Sequence, residues 1–119
     1  MANRRNTTLA TGKTIIIIVN SIGRENKVML EKQIQAAILK HLKKTYPGAV
    51  VYKLTEETNC GIPDVLFIWA GRTIFFEVKR TGGSIKPLQT HVIKRINDNG
   101  GEAVIVYSVA DVEKFIKSY

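Results

Sequence analysis

A chain of 119 residues is long enough for one domain with a single hydrophobic core, and its apolar fraction of 45% is ordinary for a globular protein. Its 18 Lys and Arg residues against 10 Asp and Glu residues give a net charge of +8, which favours an acidic partner, with nucleic acid as the first candidate and a basic protein without such a ligand as the alternative. The single cysteine, Cys60, excludes an intrachain disulfide and a zinc site built from cysteines, and no apolar run could span a membrane, so we expect a cytoplasmic protein.

The N-terminal segment is polar and basic, and we expect residues 1–13 to be mobile in part. Thr11-Gly12-Lys13-Thr14 is similar to the end of a P-loop, but Thr7 stands where the first glycine is needed and the segment precedes a strand instead of following one. The β-branched run Thr14–Val19 predicts an extra strand. An uncovered strand of this kind would aggregate, so we expect it to join the sheet or to pack against a partner subunit.

The segment Val28–Lys44 is predicted to be an amphipathic helix, because its apolar residues recur at helical spacing. The predicted apolar stripe comprises Leu30, Ile34, Ala37, Ile38, His41 and Leu42. Glu31 projects within this stripe, and a carboxylate on a buried face is costly unless something binds it. Glu31 is therefore a candidate site residue, with a first-turn glutamate favoured by the helix dipole as the alternative.

A β-hairpin is predicted in the middle of the chain. Tyr46-Pro47-Gly48 breaks the helix, residues 49–54 predict a strand, and residues 55–60 predict a polar loop. Val65–Trp69 and Thr73–Val78 are rich in β-branched and aromatic residues and flank the turn residues Ala70-Gly71-Arg72.

Three charges mark the open end of this hairpin. Asp64 begins the first strand, whereas Glu77 and Lys79 end the second, and antiparallel pairing brings these ends together. Two carboxylates about 4 Å apart repel by roughly 4 kcal/mol at an effective dielectric near 20. Lys79 offsets part of this repulsion, and a divalent cation with its preference for oxygen ligands offsets it better. A strand-end salt bridge is the alternative interpretation.

The last third of the chain predicts a helix, a strand and a second helix. Pro87 is suited to the first turn of a helix that extends to about Asn99. The apolar residues predicted to be buried on that helix are Leu88, Val92 and Ile96. Gln89 lies in its first turn, close to the exit of Lys79, and is either a site residue or a plain exposed glutamine. Residues 103–107 predict the last strand, and Ser108-Val109-Ala110-Asp111 predicts a variant of the capping box that begins a closing helix extending to Lys117.

The order of these motifs resembles a known family. Pro63-Asp64, a hairpin and then Glu77-Val78-Lys79 resemble the PD-(D/E)xK nuclease superfamily. More narrowly, the chain is similar to a stand-alone, bacterial or phage-type VRR-Nuc (virus-type replication-repair nuclease) domain. This similarity rests on Gly61-Ile62 before the Pro-Asp pair, a glycine-containing loop after the lysine, and Pro87-Leu88-Gln89 at the start of a helix. One departure is Lys86, where family members commonly carry Ser or Thr.

The resemblance implies an α/β fold with a restriction-endonuclease-like core. This core is a mixed sheet flanked by helices in the order αβββαβ, here with an extra N-terminal strand. We therefore expect residues 1–119 to be a single nuclease domain with its VRR-Nuc-like core at residues 28–117.

The resemblance also implies a Mg²⁺- or Mn²⁺-dependent DNA endonuclease of repair or recombination, acting as a homodimer on branched DNA such as a Holliday junction. The metal ligands that it assigns are Glu31, Asp64, Glu77 and the main-chain carbonyl of Val78. Lys79 would orient the attacking water or stabilise the phosphorane, and Gln89 would position the lysine or the water. The alternatives are a flap- or nick-directed or nonspecific nuclease, an RNA nuclease, and a non-catalytic DNA-binding module with the same fold.

Overall fold

The computed structural model describes residues 3–8, 14–19, 25–55 and 60–118, with side chains described from Leu30 onward. The elements in these ranges are β1 (Asn3–Thr8), β2 (Thr14–Val19), α1 (Glu25–Thr45), β3 (Val50–Lys53), β4 (Val65–Trp69), β5 (Arg72–Val78), α2 (Pro87–Asp98), β6 (Glu102–Val106) and α3 (Val109–Ile116). Strands β3 to β6 form one sheet in that spatial order, antiparallel except for the parallel pair β5–β6. The predicted α/β class and the order αβββαβ are confirmed, and α3 follows them.

The N-terminal part of the chain has one strand more than predicted. β1 pairs antiparallel with β2, from Asn3 opposite Val19 to Thr8 opposite Thr14, in a two-stranded sheet of its own. The expectation that Thr14–Val19 joins the main sheet is therefore wrong for the described residues, because its pairing partner is β1. Residues 9–13, with most of the P-loop-like stretch, and residues 56–59 of the predicted polar loop lie outside the described residues.

The β4–β5 hairpin is closed by a two-residue turn. Ala70 and Gly71 both have positive φ, 51° and 79°, as a type I′ turn requires, and this geometry matches the twist of the flanking strands. Arg72, predicted as a turn residue, is instead the first residue of β5. The register pairs Trp69 with Arg72 and Val65 with Phe76, so one further step brings Asp64 opposite Glu77.

The core lies between one face of the sheet and the helices α1 and α3. The fully buried residues of this core are Ile38, Leu42, Val65, Phe67, Ile74, Phe76, Val78, Val106 and Val112. Fully burying a side chain of this size stabilises the fold by about 1.5–3 kcal/mol. Ala37, predicted on the buried stripe of α1, is exposed, whereas Ile34 and Leu39 pack against the core beside Ile38 and Leu42.

A polar cluster ties the end of α1 to α3. The Tyr46 hydroxyl donates to Glu113 Oε2 at 2.9 Å, and His41 Nε2 lies 3.0 Å from the same oxygen. Burial raises the pKa of Glu113, but the hydrogen bonds from His41 and Tyr46 outweigh it, so that this pKa lies below its ordinary value. Burial and then Glu113 raise the pKa of Tyr46 to about 12. The Glu113 carboxylate is therefore a stabilising link only while it is ionised.

The other face of the sheet is covered only in part, by α2. Asn97 joins this helix to β6: its Nδ2 donates to the Ala103 carbonyl at 3.0 Å, and its Oδ1 accepts from the Ala103 N–H at 2.9 Å. Because α2 rests on β6 at the edge of the sheet, one flank of the helix stays open to solvent. The prediction of a buried Leu88 is wrong, since this side chain is 43% exposed, and Val92 and Ile96 are only half-buried. No helix of the described part is long and apolar enough to cross a bilayer.

Candidate active site

Asp64 is fixed at the open end of the hairpin by two strands. The Leu54 N–H donates to the Asp64 carbonyl at 2.7 Å, which holds the backbone against the end of β3. The Val78 N–H donates to Asp64 Oδ2 at 2.8 Å, which turns the side chain toward β5. The Asp64 residue as a whole is half-buried.

Glu77 lies opposite Asp64 and is 2% exposed. Its Oε2 accepts a hydrogen bond from Gln89 Nε2 at 3.2 Å and lies 3.5 Å from Lys79 Nζ. Its Oε1 is buried and has no hydrogen-bond partner among the described residues. A buried carboxylate oxygen without a partner is costly, so this atom needs either a proton shared with Asp64 or a bound cation.

Asp64 and Glu77 are close enough to alter each other's pKa. Burial first and then the charge of Asp64 raise the pKa of Glu77 to about 8, although Lys79 opposes the shift. Burial also raises the pKa of Asp64, with a further contribution from Glu31, against the effects of the Val78 N–H and Lys79. The pair therefore retains a proton near neutral pH unless more positive charge arrives.

Lys79 and Gln89 both belong to this cluster. Lys79 is 7% exposed, and its backbone N–H donates to the Val106 carbonyl at 3.0 Å, which anchors the end of β5 to β6. Gln89 Oε1 accepts from the Lys86 N–H at 3.0 Å, which is one half of a capping box, while its Nε2 binds Glu77. Gln89 thus contacts the glutamate, whereas the sequence suggested that it positions the lysine or the water.

Glu31 lies near the cluster without joining it. A Cβ placed on Gly83 would be 3.6 Å from Glu31 Oε2, and the charge of Glu31 raises the pKa of Asp64. No hydrogen bond or ion pair joins its carboxylate to another described side chain. Throughout the described ranges, no three His, Cys, Asp or Glu side chains are assembled as a metal-binding group. The structure therefore brings together Asp64, Glu77, Lys79 and Gln89, with Glu31 at the periphery.

Gly61 has a role at the site that the sequence reasoning missed. Its φ is +80°, and a Cβ there would lie 2.9 Å from both the Leu88 carbonyl oxygen and Leu88 Cγ. Only a glycine lets the segment before Asp64 pass this close to the start of α2. The available signal was a glycine placed three residues before the candidate aspartate.

Comparison with solved structures gives matches along most of the chain. One, a VRR_NUC domain, has 29% sequence identity and a TM-score of 0.63, and the match covers 76% of this chain and 97% of that one. Another, a VRR_NUC domain protein, has 18% identity and a TM-score of 0.62, with 75% and 86% of the two chains covered. The second likeness is evidence for the fold alone. Neither a scan against protein-family models nor a search of curated proteins gave a match.

Proposed function

This chain carries a VRR-Nuc domain, which is a nuclease fold, and on that premise we propose that it is a divalent-metal-dependent DNA endonuclease. The observation that carries the proposal is the buried, partnerless Oε1 of Glu77 beside a second carboxylate, Asp64. A site built only for stability would pair such charges with cations. Here Lys79 is the single cation in contact with Glu77 among the described residues.

The residues fit a hard divalent cation. Asp64, Glu77 and the main-chain carbonyl of Val78 would hold it, with Glu31 contributing from the periphery. Mg²⁺ usually takes one or two protein carboxylates and completes its shell with water and phosphate oxygens, so a pair of carboxylates suffices. When bound, the ion supplies an activated water and neutralises negative charge that develops on the scissile phosphate.

Lys79 would carry the other part of the chemistry. Its ammonium group lies on the same side of β5 as the Glu77 carboxylate, 3.5 Å from Oε2, and is almost withdrawn from solvent. A cation in a water-poor site stabilises developing charge more strongly than one in bulk water. Lys79 would therefore orient the attacking water or stabilise the pentavalent phosphorane. Because Asp64 is only half-buried, a phosphate could approach the pair from its side.

Gln89 would act by positioning Glu77. Its amide is held at one end by the Lys86 backbone and donates to Glu77 at the other, so α2 fixes the orientation of the carboxylate. The role proposed for Gln89 is therefore to orient a metal ligand, and the assignment rests on this single hydrogen bond.

We propose branched DNA as the preferred substrate, cleaved by a homodimer in the cytoplasm of a bacterial or phage-infected cell. Symmetric cutting of a four-way junction needs two active sites at a fixed separation, which a two-fold dimer provides. On this proposal residues 1–119 work as one nuclease domain. Flap- or nick-directed cutting by a monomer is the principal alternative.

One assay tests the activity. Four-way junction, flap, nicked duplex and RNA substrates are incubated with the protein in Mg²⁺, Mn²⁺ or EDTA, and the products are separated on a denaturing gel. We expect metal-dependent cutting of DNA by the wild type and by Asp98→Ala, which removes an exposed carboxylate of α2, but none by Asp64→Ala, Glu77→Ala or Lys79→Ala. The DNA affinity and circular dichroism spectrum of the inactive variants should be largely retained.

The possible failures have different meanings. Near-wild-type cutting by Asp64→Ala would reject the site. Salt-sensitive DNA binding without any metal-stimulated product would identify a non-catalytic binding module. A monomer at micromolar concentration in sedimentation would exclude resolvase-type symmetric cutting and favour flap or nick cleavage.

A further inference from the structure

Exposed apolar side chains border the carboxylate pair. Ile62 is 42% exposed, Ile85 is 38% exposed and Leu88 is 43% exposed. We call these three residues the apolar rim. Such side chains are normally withdrawn from water, and a cluster of them beside a polar site indicates a binding surface.

Each rim residue is tied to the site by a short stretch of chain. Ile62 lies two residues before Asp64, and Leu88 directly precedes Gln89, whose amide binds Glu77. Ile85 precedes Lys86, whose N–H donates to Gln89 Oε1 at 3.0 Å.

A close backbone approach joins the two parts of the rim. Leu88 lies against Gly61, where a Cβ would come within 2.9 Å of Leu88 Cγ, and Gly61 is the chain neighbour of Ile62. The approach therefore holds Ile62 beside the first turn of α2. The segments that carry the rim residues thus meet beside the site.

Cationic side chains accompany the rim. Lys86 is exposed next to Ile85, and Arg80 is half-buried directly after Lys79. Apolar and cationic groups at one mouth are complementary to a molecule that combines flat apolar faces with a phosphate backbone.

Nucleic acid is such a molecule, but only where its base faces are uncovered. Ile and Leu side chains cannot donate or accept hydrogen bonds, so they bind no phosphate, and the thymine methyl group is the one part of a base edge that suits them. They gain free energy by covering base faces, and in an intact duplex those faces are hidden by stacking. The faces become accessible at a nick, a flap or a junction.

We propose that the apolar rim binds unstacked nucleobases at an interruption of the helix and so directs cleavage to branched or interrupted DNA. This inference rests on the proposed nuclease function and adds the feature that selects the substrate. The recognition is independent of sequence, because every base has an apolar face. The apolar side chains contact the bases, and the cationic side chains contact the phosphate backbone of the same strand.

Fluorescence of 2-aminopurine tests the contact without cleavage. The probe is placed at the branch point of a four-way junction, and at the same position of an intact duplex, with Asp64→Asn protein in Mg²⁺. We expect binding to the junction to change the probe fluorescence, and Ile62→Gln/Ile85→Gln to lose most of that change. Val50→Gln/Ile68→Gln is the matched control, because these residues are 39% and 36% exposed and pair with each other about 14 Å along the strand from Asp64.

Cleavage ratios form the second readout. The rate on branched DNA divided by the rate on intact duplex should fall at least about fivefold in the rim double variant and should not change in the control. Ile85→Phe, which adds a stacking surface, should raise this ratio. Leu88 is left unchanged in the double variant because it packs against Gly61.

The outcomes separate the two proposals. If the wild type cuts no DNA, the nuclease proposal fails, while the 2-aminopurine signal still decides the rim contact. If the wild type cuts but the rim variant keeps the wild-type ratio and probe signal, the rim inference is overturned. It is also overturned if the rim variant changes the sedimentation state and leaves the probe signal intact, because the rim would then be a contact between protein chains.

Discussion

Replacing Glu77 by glutamine should stabilise the metal-free protein at alkaline pH. Glu77 is 2% exposed and faces Asp64, and burial followed by the charge of Asp64 raises its pKa from 4.5 to about 8. Between those two pH values the native state keeps a proton that the unfolded chain has lost. The free energy of unfolding of the wild type therefore falls as pH rises from about 4.5 to 8. Glu77→Gln keeps the shape and the acceptor for Gln89 but removes this dependence.

The size of the effect follows from the cost of burying the Glu77 charge and its repulsion by Asp64, both opposed by Lys79. Two carboxylates about 4 Å apart repel by roughly 4 kcal/mol at an effective dielectric near 20. The substitution also removes the ion pair between Glu77 and Lys79, which offsets part of the repulsion. A net gain of about 1–3 kcal/mol at pH 8.5 remains, which corresponds to a rise in Tm of roughly 4–12 °C for a domain of this size.

Thermal unfolding followed by circular dichroism in EDTA at pH 5, 7 and 8.5 measures the effect. The Tm values of wild type and Glu77→Gln should nearly coincide at pH 5 and diverge toward pH 8.5. Glu102→Gln is the control, because Glu102 is paired with Arg72 at 2.7 Å and its loss should lower Tm instead. Mg²⁺ or Mn²⁺ should raise the Tm of the wild type but not of Glu77→Gln. A Glu77→Gln protein that is no more stable than wild type at pH 8.5 would refute the repulsion argument.

The remaining predictions concern the backbone, the helix and the distal cluster. Gly61→Ala should lower the free energy of unfolding by about 2–4 kcal/mol in urea, because a Cβ would meet backbone 2.9 Å away at positive φ, whereas Gly100→Ala, at φ +88° with open space, should lose about 1 kcal/mol. Gln89→Ala should lower kcat by roughly tenfold or more, because Glu77 loses the amide that orients it; a kcat equal to that of the wild type would remove Gln89 from the site. Glu113→Gln should cost roughly 1–2 kcal/mol at pH 7. The wild type loses that contribution as pH falls below about 4.5 through the lowered pKa of Glu113, so the Tm values of wild type and Glu113→Gln should converge in acid. A difference in Tm that stays constant with pH would contradict the stabilising role of the Glu113 carboxylate.

The hairpin could be predicted because it depends on residues that are close to one another in the sequence. Val65–Trp69 has the predicted bounds, since β-branched and aromatic residues alternate with the pleat and turn residues follow. Once the pairing is antiparallel, Asp64 and Glu77 must lie close together. The same reasoning placed Lys79 beside Glu77, and the structure brings these side chains together at 3.5 Å.

What could not be predicted depends on contacts distant in sequence. β1 has the polar sequence of Asn3–Thr8, without apolar alternation, and its strand conformation comes from pairing with β2. The exposure of Leu88 depends on α2 resting on the edge of the sheet, which no periodicity in the helix reveals. The hydrogen bond from Gln89 to Glu77 depends on the position of α2, which the loop of residues 80–86 determines.

An insertion in β5 would separate the carboxylate pair, because successive side chains of a strand point to opposite faces of the sheet. From Arg72 to Glu77 the side chains of β5 alternate between the helix-covered face and the α2 face, so one residue inserted in this interval without a bulge would exchange the two sets. Phe76 would then confront Asp64, and the glutamate would enter the apolar layer beneath α1 and α3. Two inserted residues would restore the alternation but would place the glutamate two positions beyond Asp64, whereas one residue added to each strand would keep the two opposite each other. Where this chemistry persists, variation in hairpin length should therefore add equal numbers of residues to the two strands.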